Sequence, residues 1–194
     1  MKLKRVAAYI IDILIISVIA NLIFSIPVFE HNSNAYLEAN KEMTEYIQKA
    51  DTTLDMKKLN EITYKVVYAS RYLSIIEIAL TILYFGVLQF ILDGQTIGKK
   101  LLKIKIKPEK GKSLNSGLFM LRTIILHNVI FDIISTVSVI TLNQNLALKI
   151  NSYSSYGALL VELIIIGTII FRDDERGLHD LIANTKVVPL KEEN

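Results

Sequence analysis

Six ionisable side chains stand inside runs that are otherwise almost wholly apolar: Asp12, Glu77, Arg122, His127, Asp132 and Glu162. A charged group at the centre of a hydrocarbon layer costs roughly 2.5–3.5 kcal/mol on insertion scales, so such groups face one another, water or a bound ion. Carboxylates take up protons and cations. An imidazole titrates near neutral pH and can exchange protons with an adjacent acid. A guanidinium next to a carboxylate forms a hydrogen-bonded ion pair. The chemistry these residue types offer is binding of protons and monovalent cations.

Holding them at depth takes long apolar elements. Four runs qualify, at about 6–28, 73–92, 118–142 and 156–171, measured against the roughly 20 residues that cross a core of about 30 Å. The last has only 16 residues and is expected to begin a turn earlier. Lys and Arg in the flanks set orientation. Residues 1–5 carry three, 93–117 seven, 143–155 one, and the tail after Phe171 four. The expected fold class is an all-α membrane protein, a single domain over 1–194, with four transmembrane helices and both termini cytoplasmic.

Depth follows from those borders at 1.5 Å per residue. Asp12 and Arg122 share a layer roughly 6–9 Å from the inner border, and His127 and Glu162 lie near the midplane. Glu77 and Asp132 lie within about 10 Å of the outer border. The expected pairs are Asp12 with Arg122, as an inner gate or as plain glue between spans, and His127 with Glu162. Two acids at one depth invite a cation or proton between them, unless Glu77 reaches outer water. On a straight helix His127 points about 140° from both Arg122 and Asp132, so the three line one path only if the span bends.

Outside the bilayer, 29–72 has six basic and seven acidic residues and reads as an extracytoplasmic insertion of two helices. Ser33 or Asn34 can cap the first, and Asp51 or Thr53 the second. Leu59, Ile62, Val66, Ala69 and Leu73 form an apolar stripe that carries the second helix on into the next span. The lysine-rich loop has strand periodicity: Leu102, Ile104 and Ile106 alternate with Lys103, Lys105 and Lys107. Pairing of 102–107 with 185–190 in a small cytoplasmic sheet is expected, with Pro108 to Lys112 as a turn. The alternative is an interfacial helix whose lysines reach anionic lipid.

Several functions are excluded. The sequence has no cysteine, hence no disulfide or thiolate chemistry. Asp12 inside the first apolar run argues against a cleaved signal peptide. Gly94-Gln95-Thr96-Ile97-Gly98-Lys99-Lys100 has its glycines one residue too close for a phosphate loop, and Lys100 stands where Ser or Thr must bind magnesium. His31, His127 and His179 are scattered, so no metal site is expected. No hydrolytic arrangement occurs either. Neither an enzyme, nor a cofactor, nor a nucleic-acid partner is expected at a net charge of +3.

Three stretches, in order, resemble the RDD family of bacterial membrane proteins, named for one arginine and two aspartates. They are Arg5-Val6-Ala7-Ala8-Tyr9-Ile10-Ile11-Asp12, the glycine- and lysine-bearing Gly94 to Leu102, and Arg176-Gly177-Leu178-His179-Asp180-Leu181-Ile182-Ala183-Asn184-Thr185. The resemblance implies a motif set of Arg5, Asp12, Gly94, Gln95, Gly98, Lys99, Gly177, His179 and Asp180. It implies Asp180 as the second named aspartate, with Asp132 the alternative. A multi-pass protein of the bacterial cytoplasmic membrane is implied as well. Many members have three core spans, so a fourth span and the 29–72 insertion depart from the pattern.

Some members have been proposed as cation/proton antiporters. That implies an ion path through Asp12, Glu77, Arg122, His127, Asp132 and Glu162. Lys99 and Lys100 are expected at the headgroups, with Arg176, Asp180 and Lys186 pairing with them or with lipid phosphate. The competing expectation is a non-transporting scaffold or envelope sensor that docks a partner through 29–72. The sequence leaves homo-oligomerisation open.

Overall fold

A computed structural model describes residues 1–49, 55–109 and 115–190. Helix α1 (Lys2–Phe24) buries Ala8, Asp12, Ile16, Ala20 and Phe24, one residue in four along a single stripe. Its remaining surface, with Leu3, Val6, Ile10, Leu14, Val18 and Leu22, is exposed and apolar. A bilayer covers such a surface; water does not. The helix ends at Phe24, short of the expected Val28, because Pro27 has no N–H to continue it and opens a 3₁₀ turn, Pro27–Phe29.

Helices α2 (Glu30–Lys49) and α3 (Met56–Ala69) then pack on each other, joined by a Lys65–Glu42 ion pair at 2.8 Å. The first helix starts at Glu30, ahead of Ser33 and Asn34. Asp55 caps the second, accepting from the backbone of Lys57 and Lys58. Asp51 and Thr53 lie outside the described residues, as do Lys110 and Lys112 of the expected turn. After the single residue Ser70, α4 (Arg71–Thr81) continues through π-helical turns, Ile82–Leu88, into α5 (Gln89–Ile91). The run Arg71–Ile91 is one apolar helix of 21 residues.

Helix α6 (Ile97–Leu101) is short and leads into β1 (Ile104–Pro108). Helices α7 (Ser116–Leu126), α8 (Val129–Thr141) and α9 (Gln144–Phe171) follow, then α10 (Leu178–Ile182) and β2 (Thr185–Pro189). The strands pair antiparallel with Ile106 opposite Val187. Ile104, Ile106 and Val187 are buried against Ala8 and Phe119, so the apolar side of the sheet does face the bundle. Leu102 and Lys103 fall outside the strand, because Lys103 turns the chain at φ 54.

Among the described residues three helices are long and apolar enough to cross a membrane: Lys2–Phe24, Arg71–Ile91 and Gln144–Phe171. The expected straight span 118–142 is instead two helices, α7 and α8, bent by 64°, a broken span or a re-entrant loop. Asn128 makes the break. Its φ of 54 is left-handed, a conformation Asn tolerates better than most residues. Its carbonyl restarts the next helix by accepting from Phe131 at 2.8 Å. The last long helix begins at Gln144, capped by Asn143, and not near Tyr156. The expected polar loop 143–155 is therefore mostly helix.

Candidate functional site

Two polar clusters occupy different levels of the bundle. The first gathers around Asp12 and Asp180, both wholly buried, at the end that carries the sheet. Asp12 accepts from Tyr84 Oη at 2.6 Å, Thr96 Oγ1 at 2.5 Å and the Gly98 backbone at 2.8 Å. Lys99 Nζ is 3.8 Å away. The Gln89 amide, oriented to satisfy both its ends, accepts from Lys99 Nζ at 3.0 Å and donates to the Phe85 carbonyl at 3.2 Å. Gly98 is required here: a Cβ would stand 2.4 Å from the Ala8 carbonyl oxygen.

Asp180 is held from both sides, Arg5 donating to Oδ2 and Arg122 to Oδ1. The Gly177 N–H also donates to Oδ2, at 3.1 Å, and Arg122 donates to Thr185 Oγ1 at 3.0 Å. Burial alone raises the Asp180 carboxyl, but Arg122, His179 and Arg5 together hold it well below the usual carboxylate range. Burial, with Arg122 adding to it, pushes His179 well below its ordinary value. Lys99 is pulled down to about 7 by burial first and then by the Arg122 charge.

The structure thus places all nine motif residues around this knot or its supports. Gly94, at φ 82, makes a turn into which Ile106 presses; a Cβ would lie 2.3 Å from the Ile106 carbonyl oxygen. Gln95 donates to the Ile104 carbonyl at 3.4 Å. Two expectations fail. Arg122 does not pair with Asp12: Asp12 accepts from α6, its Thr96 cap and Tyr84, while Arg122 donates to Asp180. Nor does Lys99 lie at the headgroups: it is only 8% exposed and turned inward, while Lys100 is exposed. Arg176 pairs with Asp174 and Glu109.

The second cluster lines a cavity of about 390 Å³ among α1, α4, α8 and α9. Glu77, His127, Asn128, Asp132 and Glu162 share its wall with Tyr9. Four of the six expected path residues therefore meet here, and the bend at Asn128 is what turns His127 and Asp132 toward one space. An adjoining hollow of about 280 Å³ shares Asp132, Ser135 and Glu162. His127 does not pair with Glu162. Its ring stacks between Phe85 at 3.9 Å and Tyr9 at 5.5 Å, and Nε2 has no hydrogen-bond partner. Glu162 instead accepts from Asn128 Nδ2 at 3.2 Å. Among the described residues no three His, Asp or Glu side chains converge as a metal site.

Tyr84, Thr96, Asn128 and Thr185 belong to these clusters and were not singled out from the sequence. Thr96 lies between the two motif glycines, a signal that could have pointed to it. Tyr84 is a hydroxyl in an apolar run, and a buried hydroxyl needs a partner.

No match to the chain was found among curated proteins or among solved structures. A family model does match, over residues 2–184, and so takes in α1, the α6 turn and α10 alike. On that match the chain belongs to the RDD family, whose members are membrane proteins.

Proposed function

We propose that the protein is a non-enzymatic, four-span transporter of the bacterial cytoplasmic membrane that exchanges a monovalent cation for protons. The observation carrying this reading is the cavity wall, where Glu77, Asp132 and Glu162 come from three different helices to one space. Carboxylates at one site bind a cation when ionised and release it when protonated, which is the coupling that exchange needs. The knot around Asp12 and Asp180 closes the bundle on its sheet side. It acts as the fixed frame, in contact with anionic lipid through the lysines of the sheet.

Vesicles with an acid interior test this. Purified protein should speed uptake of labelled sodium, rubidium or methylammonium, and Asp132→Asn and Glu162→Gln should each cut that uptake at least tenfold. Absence of protein-dependent uptake of all three cations overturns the reading. One observation favours the competing scaffold: α2, α3 and the start of α4 form a charged groove of about 380 Å³ lined by His31, Glu38, Glu42, Lys65 and Arg71. Under that reading deletion of 33–65 abolishes function and Glu162→Gln leaves it intact.

A further inference from the structure

We infer that the cation held in the cavity is an organic ammonium ion, an amine on a short aliphatic body, rather than a dehydrated metal ion. This rests on the reading that the cavity is where the transported cation sits. A bare hard cation is held by several converging oxygens, and no three described Asp, Glu or His side chains converge in that way. The acids are instead spread around about 390 Å³, within the range of roughly 300–1,000 Å³ typical of small-molecule sites.

Charge and shape agree. Glu77, Asp132 and Glu162 have no ion-pair partner among the described residues, so the protein supplies no cation of its own here. Asn128 is 6% exposed, lines the same wall and has its Oδ1 without a hydrogen-bond partner. Its Nδ2 is committed to Glu162 and to the Ala158 carbonyl, which fixes the amide so that an acceptor is left over. An unfilled buried acceptor beside carboxylates calls for a donor that carries positive charge, and an ammonium group has three N–H bonds. Ile13, Ile16 and Ile78 add an apolar part to the same lining. That part does nothing for a metal ion or its hydrate, but it covers methylene groups.

The full chain in lipid nanodiscs, titrated calorimetrically at about pH 8 with n-butylammonium chloride, decides. Saturable binding is expected, at least tenfold weaker in Asp132→Asn and in Glu162→Gln and unchanged in Glu38→Gln on α2. Tetramethylammonium, which has no N–H, should bind at least tenfold more weakly, and sodium should not displace butylammonium. Absent binding, binding untouched by both cavity variants, or displacement by equal sodium overturns the inference. Protein-dependent vesicle uptake of sodium or rubidium without methylammonium overturns it too, yet leaves transport standing. Butylammonium binding lost in both cavity variants, with no uptake of any cation, removes transport and keeps the ammonium site.

Discussion

Asp180 neutralises two guanidiniums, Arg5 and Arg122, and is itself wholly buried. Removing one charge from such a group leaves its partners unpaired, which costs about 3–5 kcal/mol. Asp180→Asn should therefore lower the melting temperature in detergent sharply, while Asp174→Asn, at the exposed surface, should leave it nearly unchanged. Lys99 gives a pH signature. Its ammonium sits at about 7 in the fold against an ordinary 10.5. Across that window the unfolded chain holds the proton and the folded chain does not, so this residue's contribution to stability rises with pH. The melting temperature of the wild type minus that of Lys99→Met should move in the wild type's favour between about pH 7 and pH 10. At this level the sequence told which residues were unusual but not which would touch. Depth along a helix follows from counting, whereas the direction around it depends on packing, and so Asp12 and Arg122 were matched by level and then found with other partners.

Helices and strands were legible where their periodicity was long. The alternation from Ile104 to Lys107 gave the first strand, and the apolar stripe through Ile62 and Ala69 gave α3. Breaks were harder. The run from Leu118 to Leu142 has neither Gly nor Pro inside it, so nothing local announced that α7 would stop at Leu126. The break rests on one residue in a left-handed conformation, Asn128. A β-branched side chain there adds a further penalty to the roughly 1–2 kcal/mol that the left-handed conformation costs an L-residue. Asn128→Val should thus lower the melting temperature more than Asn128→Gly, which keeps the bend but loses the amide bridge to Glu162. Equal effects would mean that the amide, not the backbone, makes the bend. The helix at 144–155 was missed for a different reason: it is polar, and its helicity is imposed by the Asn143 cap and by packing of Ala147 and Ser154.

For the molecule as a whole, the arrangement predicts that α2 and α3 lie on the opposite side of the membrane from the two-stranded sheet. The natural chain has no cysteine, so single substitutions report cleanly. Glu38→Cys should react with an impermeant maleimide in intact cells, and Lys107→Cys only after lysis; reaction of both from the same side would refute four spans. The Arg5–Asp180 contact also bears on biosynthesis. Arg5 leaves the ribosome 175 residues before Asp180 does. Arg5 waits for its carboxylate through that whole interval, and Arg122 joins it for the last 58 residues. A chain terminated between Arg122 and Asp180 therefore keeps two uncompensated charges and should be far less stable than the completed protein.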